Sequence, residues 1–228
     1  MISAVFKCGD KVQRGAFMEA TVAHIRKDGL IAIVRGQFTV AQVLAVGETL
    51  AAAAVTVLEI TLNTSDALAA IEQLRGRFTD TLLIGAGTVR TVGQWHEARN
   101  AGAQFTVAPN LDMETVAAAN SHHYLHLPGV FTATEAETAY RAGCRILKLF
   151  PSDVLGPKYL KALRAPLDDI AFIPTGGIST ANIGDYRRAG ALACGIGTAL
   201  VTGPDQSLTE LRQRSEALRR AWDDTSWR

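Results

Sequence analysis

Cysteine and net charge are both scarce in this sequence. Its 228 residues include three cysteines, Cys8, Cys144 and Cys194, which are odd in number and show no CxxC spacing. This pattern excludes a disulfide framework and a zinc-finger site, and it favours a reducing compartment. The 23 Lys and Arg residues nearly balance 22 Asp and Glu residues. Because no basic excess is present, nucleic acid is not an expected partner.

The sequence also lacks an apolar run of the roughly 18 residues that a membrane span needs. Its start, MISAVFKCGDK, reaches charged residues before an apolar signal-peptide core forms, so we expect a cytoplasmic protein without membrane contact. No Pro-rich linker or low-complexity segment marks a domain boundary, and 48% of the residues are hydrophobic, enough for a sizeable core. We therefore predict a single domain over residues 1–228.

Short apolar stretches alternate with Ala-rich stretches of helical periodicity. Eight of the apolar stretches are typical of buried parallel strands: Leu30 to Arg35, Val57 to Leu62, Leu82 to Thr88, Phe105 to Pro109, Tyr124 to Gly129, Ile146 to Pro151, Ala171 to Gly177 and Ala193 to Val201. Eight such units predict an α/β protein with the (β/α)8 TIM-barrel fold. The alternative, an open doubly wound sheet, would place a GxGxxG turn where Arg35-Gly36-Gln37-Phe38 stands.

Two segments lie outside the repeat. Residues 1–28 are predicted to be an N-terminal helical extension, with a helix near Arg14 to Lys27 that caps the bottom of the barrel. The barrel itself is assigned to residues 29–203. Residues 204–228 are predicted to form a docked C-terminal helix, because Leu211, Ser215, Leu218 and Trp222 recur at helical spacing.

Polar residues interrupt several of the apolar strands. Alternation of side chains predicts that Glu59 and Lys148 point into the barrel, while Arg35, Thr88 and Thr175 stand at the carboxyl ends of their strands. Active sites of this fold lie at those ends. Burial in an apolar wall favours the neutral amine of a lysine, which attacks ketones to form a Schiff base. Glu59 could then move protons, and Arg35 could clamp a substrate carboxylate.

Glycines follow the last two predicted strands. Thr175-Gly176-Gly177-Ile178-Ser179 precedes a helix, and Gly195-Ile196-Gly197-Thr198 ends the eighth strand. Glycine permits close backbone approach, and barrel enzymes often hold phosphate at these two loops. The pattern therefore predicts a phosphate site.

In this order, four stretches resemble the Entner–Doudoroff-type 2-keto-3-deoxy-6-phosphogluconate aldolases and their 6-phosphogalactonate relatives: LEITL from Leu58, IGAGTV from Ile84, LKLFP from Leu147 and PTGGIS from Pro174. The resemblance spans about Gly29 to Val201. It implies a class I aldolase on a (β/α)8 barrel, usually a homotrimer that needs no metal or other cofactor. Such enzymes cleave a 2-keto-3-deoxy-6-phospho sugar acid to pyruvate and glyceraldehyde 3-phosphate.

The resemblance also implies roles for individual residues. Lys148 is the expected Schiff-base lysine and Glu59 the expected general acid and base. The expected pyruvate pocket consists of two carboxylate ligands, Arg35 and Thr88, and two walls, Pro109 and Phe150. The expected phosphate cradle is Gly176, Gly177, Gly197 and Thr198.

The substrate branch stays open at this point. Leu62-Asn63-Thr64 is similar to the phosphogalactonate branch, because the phosphogluconate branch often has Arg where Asn63 stands. Thr175, in contrast, resembles the phosphogluconate branch. Asn63 and Thr175 are therefore the candidate residues for recognising substrate hydroxyls.

Three other functions remain as alternatives. An aldolase for 4-hydroxy-2-oxoglutarate, or an oxo-acid decarboxylase, would use the same lysine without a phosphate cradle. A non-catalytic barrel would only bind a phosphorylated metabolite. A metal-dependent aldolase would need ligands, and the only cluster of histidines is His122, His123 and His126, which we expect at the surface where the fifth strand begins.

Overall fold

The computed structural model describes residues 8–225, with side chains from residue 15 onward. The predictions for the first residues of the sequence and for its last three therefore lie outside the described residues. The helices of this part are α1 Cys8–Asp28, α2 Val40–Ala52, α3 Ala67–Arg77, α4 Val92–Asn100, α5 Met113–Ser121, α6 Ala133–Arg141, α7 Gly156–Arg164, α8 Ile183–Arg188 and α9 Leu208–Asp223. The strands are β1 Leu30–Val34, β2 Val57–Thr61, β3 Leu83–Gly87, β4 Phe105–Val107, β5 His126–Leu127, β6 Gly129–Val130, β7 Ile146–Leu149, β8 Ala171–Pro174 and β9 Cys194–Ile196.

The strands form a parallel (β/α)8 barrel, as the sequence predicted. Six of them pair in the order β5-β4-β3-β2-β1-β9, and the other three pair in the order β6-β7-β8. A parallel bridge between Thr175 and Gly195 joins the two sheets on one side. On the other side the chain passes directly from β5 to β6 through Pro128. The fifth predicted strand is thus divided in two, because proline has no N–H to continue the ladder.

Five of the described helices begin directly after a short polar side chain that caps them. Thr39, Thr91, Asp112, Thr132 and Ser207 precede α2, α4, α5, α6 and α9, and each accepts a hydrogen bond from the N–H three residues further on. Such caps satisfy backbone donors that have no partner inside the helix. The local sequence therefore determines where these helices begin.

The inside of the barrel is apolar toward its amino-terminal end, and α1 closes that end. Ile25 of α1 is fully buried against the inner residues of the strands, with Met18 and Val22 beside it. These inner residues are Ile31, Val57, Leu83, Phe105, Val107, Leu125, Leu127, Ile146, Ile173, Leu192 and Ala193. The helix thus caps the barrel bottom, but it begins at Cys8 rather than near Arg14. The side chain of Cys8 lies outside the described residues.

The outer layer packs the helices against the strands, and α9 joins this layer. Its buried residues are Leu211, Ser215, Leu218 and Trp222, the four that the helical spacing had indicated. Trp222 reaches Gly29 so closely that a Cβ atom at residue 29 would collide with the indole ring. In the described part of the chain, none of the helices is both long enough and apolar enough to cross a membrane.

Candidate active site

A cavity of about 370 Å³ opens at the carboxyl end of the barrel strands. Its lining includes every predicted site residue except Asn63. These residues are Arg35, Glu59, Thr88, Pro109, Lys148, Phe150, Thr175, Gly176, Gly177, Gly197 and Thr198. Residues more than 160 positions apart in sequence therefore meet in one site, because parallel strands present their carboxyl ends on the same face.

Glu59 lies in the wall of this cavity on β2. It is in register with Ile33 of β1 and Gly85 of β3, and it is 3% exposed. Burial raises the pKa of its carboxyl group, while the charges of Lys148 and Arg35 oppose that shift. A carboxyl group with a raised pKa holds its proton more readily near neutral pH, which suits a general acid.

Lys148 lies on β7, in register with Gly129 of β6 and Ile173 of β8, and it is 7% exposed. Its Nζ atom is 5.0 Å from the centroid of the Phe150 ring. Among the described residues, Lys148 forms no ion pair: no carboxylate oxygen lies within 4.0 Å of its Nζ atom. The amine is therefore available to a ligand in the cavity instead of being locked in a buried ion pair.

Three residues at the mouth lie one or two positions beyond the ends of their strands. Arg35 comes after β1 with an exposed side chain, Thr88 comes after β3, and Pro109 comes two residues after β4. Thr88 has a φ of +57°, a conformation that non-glycine residues rarely adopt. Such strain often marks functional positions. A guanidinium and a hydroxyl at one rim suit a carboxylate.

Backbone forms the part of the mouth that follows β8 and β9. Gly176 and Gly177 have φ values of +102° and +65°, and a Cβ atom at Gly177 would collide with Asp153. In the described part of the chain, the N–H groups of Gly177, Ile178 and Thr198 donate to no acceptor. Free N–H groups around a concave surface are suited to an anion.

Asn63 lies outside this arrangement. It is exposed in the turn between β2 and α3 and is not among the described residues that line the cavity. Its predicted contact with a substrate hydroxyl therefore finds no direct support in the geometry. The cavity contains further residues that the sequence did not single out as ligands: Ile33, Thr61, Ile178, Ser179, Ala199 and Val201. The period-two pattern that selected Glu59 also places Ile33 and Thr61 on the inner face.

The histidine cluster differs from the prediction. His126 is not at the surface: it is 6% exposed on β5, and its Nδ1 lies 2.9 Å from Thr106 Oγ1. Leu125 and Leu127 point into the barrel, so alternation directs His126 outward into the layer between strands and helices. His122 is half-buried against the Trp95 ring. Among the described residues, no group of three His, Cys, Asp or Glu side chains could hold a metal ion.

Comparison with known proteins agrees with this geometry. The sequence model of the KDPG and KHG aldolases matches residues 22–212. The chain belongs to this family. The match covers the last part of α1, the whole barrel and the beginning of α9.

Relatives from both branches of this aldolase family share more than a third of their residues with the chain. A 2-dehydro-3-deoxy-phosphogluconate aldolase from Pseudomonas aeruginosa is 41% identical over 186 residues, covering 79% of this chain and 84% of the relative. A 2-dehydro-3-deoxy-6-phosphogalactonate aldolase from Escherichia coli is 37% identical over 194 residues, covering 85% and 94%.

Solved structures of aldolases superpose well on the barrel. A native KDPGal structure gives a TM-score of 0.81 at 36% identity, covering 86% of this chain and 95% of that one. KDPG aldolase from Legionella pneumophila, with pyruvate captured as a covalent carbinolamine, gives 0.76 at 30% identity and covers 95% and 99%.

Proposed function

We propose that this protein is a class I aldolase. It cleaves a 2-keto-3-deoxy-6-phospho sugar acid, of the gluconate or galactonate type, to pyruvate and glyceraldehyde 3-phosphate. One observation carries the proposal: the buried amine of Lys148 and the buried carboxyl group of Glu59 line the same cavity. A guanidinium and free backbone N–H groups also lie at the mouth of that cavity.

The reaction begins at the keto carbon. The neutral amine of Lys148 attacks this carbon, and a proton moves from nitrogen to oxygen to give a carbinolamine. Burial raises the pKa of the Glu59 carboxyl group, which favours its protonated form, and this form donates a proton to the carbinolamine hydroxyl. Water leaves, an iminium forms on Lys148, and Glu59 becomes a carboxylate.

The iminium then accepts the electrons of the broken carbon–carbon bond. Glu59 removes the proton of the hydroxyl group on C4, the C3–C4 bond breaks, and its electron pair moves toward the iminium nitrogen. The aldehyde leaves and an enamine of pyruvate remains. Protonation at C3 restores an iminium, and water hydrolyses it to pyruvate and the free amine of Lys148.

The two ends of the substrate fix its orientation. Arg35 and Thr88 would hold the carboxylate, with Pro109 and Phe150 as walls of the pyruvate pocket. Gly176, Gly177, Gly197 and Thr198 would hold the phosphate through backbone N–H groups. Binding at both ends places the keto carbon beside Lys148, and such positioning lowers the barrier to reaction.

The substrate branch is proposed only as far as these residues support it. Thr175 lines the cavity, so its hydroxyl is in place to contact a substrate hydroxyl, whereas Asn63 is exposed outside it. We propose that Thr175, rather than Asn63, contributes direct discrimination between the two sugar acids, which differ in configuration at one carbon. A relative from E. coli that is named KHG/KDPG aldolase, 37% identical over 153 residues, makes 4-hydroxy-2-oxoglutarate the second substrate to test.

The remaining expectations belong to the same proposal. The enzyme would act as a homotrimer in the cytoplasm, without a metal or other cofactor, a nucleic acid or a membrane. One solved chain that is 36% identical to this one, with a TM-score of 0.82, belongs to a cage designed by fusing symmetric oligomeric domains. This similarity supports the proposal that the protein forms an oligomer. Light scattering tests the trimer, and activity that is unchanged after EDTA dialysis tests the absence of a metal requirement.

A borohydride trap tests the proposed chemistry. The protein is incubated with pyruvate and reduced, and the intact and peptide masses are measured. We expect one reduced pyruvate adduct, located on Lys148, and no adduct in Lys148→Ala. Lys161→Ala, which removes an exposed lysine from α7, is the matched control and should trap normally. A folded protein with an unmodified Lys148 would overturn the aldolase assignment and favour the binding-only barrel.

A further inference from the structure

The turn after β2 forms hydrogen bonds with the segment that contains Arg35. The hydroxyl oxygens of Thr61 and Thr64 each lie 3.2 Å from the carbonyl oxygen of Val34 and 3.0 Å from one another. Thr61 and Thr64 are 3% and 5% exposed. The carbonyl group before Arg35 is thus bound by buried hydroxyl groups of the neighbouring strand and turn.

The same turn also binds the residues that follow Arg35. The N–H of Ser65 donates to the carbonyl oxygen of Gly36 at 3.2 Å, and the Ser65 hydroxyl donates to the Gln37 side chain at 2.6 Å. Gly36 has a φ of +137°, so the chain turns away from β1 in a conformation that favours glycine. Hydrogen bonds from the turn after β2 therefore hold the backbone on both sides of Arg35.

This support matters because the Arg35 side chain is long and exposed. A flexible guanidinium loses much rotamer freedom when it binds a carboxylate, and a fixed backbone limits how far it must search. Thr61 itself lines the cavity, so a change there could act directly on the ligand. Thr64 is not among the described lining residues, so its hydroxyl acts on the ligand through its partners: the Val34 carbonyl beside Arg35, and the hydroxyl of Thr61.

We propose that Thr64 is a positioning residue for carboxylate recognition: its hydroxyl holds the Val34 carbonyl and thereby fixes Arg35 at the mouth of the cavity. The inference rests on the proposed function, in which Arg35 binds the carboxylate of the keto acid. It extends that function to a residue that does not touch the substrate. It also gives the turn containing Asn63 a role that does not require Asn63 to contact the substrate.

The test compares two ketones that differ in their carboxylate. Borohydride trapping is measured against increasing concentrations of pyruvate and, separately, of acetone, which has the keto group but no carboxylate. In Thr64→Val, which keeps the shape but removes the hydroxyl, the pyruvate concentration for half-maximal trapping should rise about 3- to 10-fold, the loss expected for one hydrogen bond. Trapping of acetone should stay unchanged, and Thr64→Ser should restore pyruvate trapping.

A second measurement asks whether Thr64 acts through Arg35. Arg35→Ala should weaken pyruvate trapping, and adding Thr64→Val to it should weaken trapping no further, because coupled residues are not additive. Equal losses for pyruvate and acetone, normal pyruvate trapping in Thr64→Val, or full additivity with Arg35→Ala would each overturn the proposal. If Thr64→Val does not fold, Thr64→Ala takes its place. In a folded Thr64→Ala variant, the pyruvate concentration for half-maximal trapping should likewise rise while acetone trapping stays unchanged. A wild-type protein that traps neither ketone would instead overturn the proposed function.

Discussion

The carboxylate of Glu59 lies directly against Gly87. Gly87 is the last residue of β3 and pairs with Thr61 of β2, so it lies on the inner face of the barrel beside the Glu59 side chain. A Cβ atom at residue 87 would collide with the Oε1 atom of Glu59. The absence of a side chain at residue 87 therefore leaves room for the carboxyl group of Glu59, the proposed acid and base.

We predict that Gly87→Ala greatly reduces turnover while the protein still folds. The added methyl group displaces the Glu59 carboxyl group, and a displacement of about 1 Å at a catalytic group can cost roughly 100-fold in rate. Steady-state cleavage of both sugar acids measures the loss. Gly76→Ala, in an exposed part of α3 with open space around it, is the control and should leave turnover unchanged. Normal turnover in Gly87→Ala would show that Glu59 does not act from this position.

A second prediction is that the buried carboxyl group of Glu59 lowers the free energy of unfolding at neutral pH. Burial raises the pKa of its carboxyl group, so the folded state binds this proton more tightly than the unfolded state does. The protonated carboxyl group therefore adds to the free energy of unfolding. This contribution is fully present below the unfolded pKa near 4.5 and is lost as pH rises through the folded pKa. At neutral pH, Glu59→Gln should therefore be more stable than the wild type by on the order of 1 kcal/mol, although it is far less active.

Urea unfolding of both proteins at pH 4.5 and pH 8 checks this prediction. The advantage of Glu59→Gln should be present at pH 8 and small at pH 4.5. Glu48→Gln on the exposed face of α2 provides the matched control and should show no such difference. An advantage of equal size at both pH values would mean that the carboxylate charge is not its cause.

Much of the fold and the site could be predicted because both rest on local patterns. The period of two within each strand placed Glu59 and Lys148 inside the barrel, and the structure brings both to one cavity. The predicted strands extended too far at their carboxyl ends, since Arg35, Thr88 and Phe150 lie just beyond β1, β3 and β7. At these residues the backbone leaves the ladder to form the mouth of the cavity.

Other features depend on contacts that no local pattern contains. Asn63 lies close to the glutamate in sequence, but the turn after β2 carries it outward. His126 was expected at the surface as one of the histidines where the fifth strand begins, yet Thr106 of the neighbouring strand provides it with a buried partner. The bonds from Thr61 and Thr64 to Val34 likewise connect two strands whose pairing register had to be known first.

We predict that His126 makes the protein sensitive to mild acid. Burial lowers the pKa of this histidine from 6.5 to about 4, so below pH 6.5 the unfolded state takes up the proton first. The free energy of unfolding should fall by about 3 kcal/mol as pH drops from 6.5 to 4. Urea unfolding across this range should give a flatter profile for His126→Gln. His123→Asn is the control, and an unchanged slope in His126→Gln would contradict the prediction.

The last prediction concerns a buried ion pair at the amino-terminal face of the barrel. Arg219 of α9 binds the carboxylate and the carbonyl group of Asp28, and it also donates to the carbonyl oxygen of Ala54 at 2.9 Å. The Asp28 side chain is only 3% exposed. Its second carboxylate oxygen accepts hydrogen bonds from the N–H and the hydroxyl group of Thr56, at 2.6 and 2.5 Å. The end of α1, the start of β2 and α9 therefore share one polar centre.

Removal of Arg219 would leave Asp28 as a buried charge without its cation, and such losses cost about 3 to 5 kcal/mol. Arg219→Met should therefore lower the free energy of unfolding by about 3 kcal/mol while turnover at the opposite end of the barrel is retained. Arg212→Met removes an exposed pair with Glu216 from the same helix and should cost less than about 1 kcal/mol. Since the two variants differ mainly in the burial of the partner, equal losses would mean that burial of Asp28 does not make this pair important.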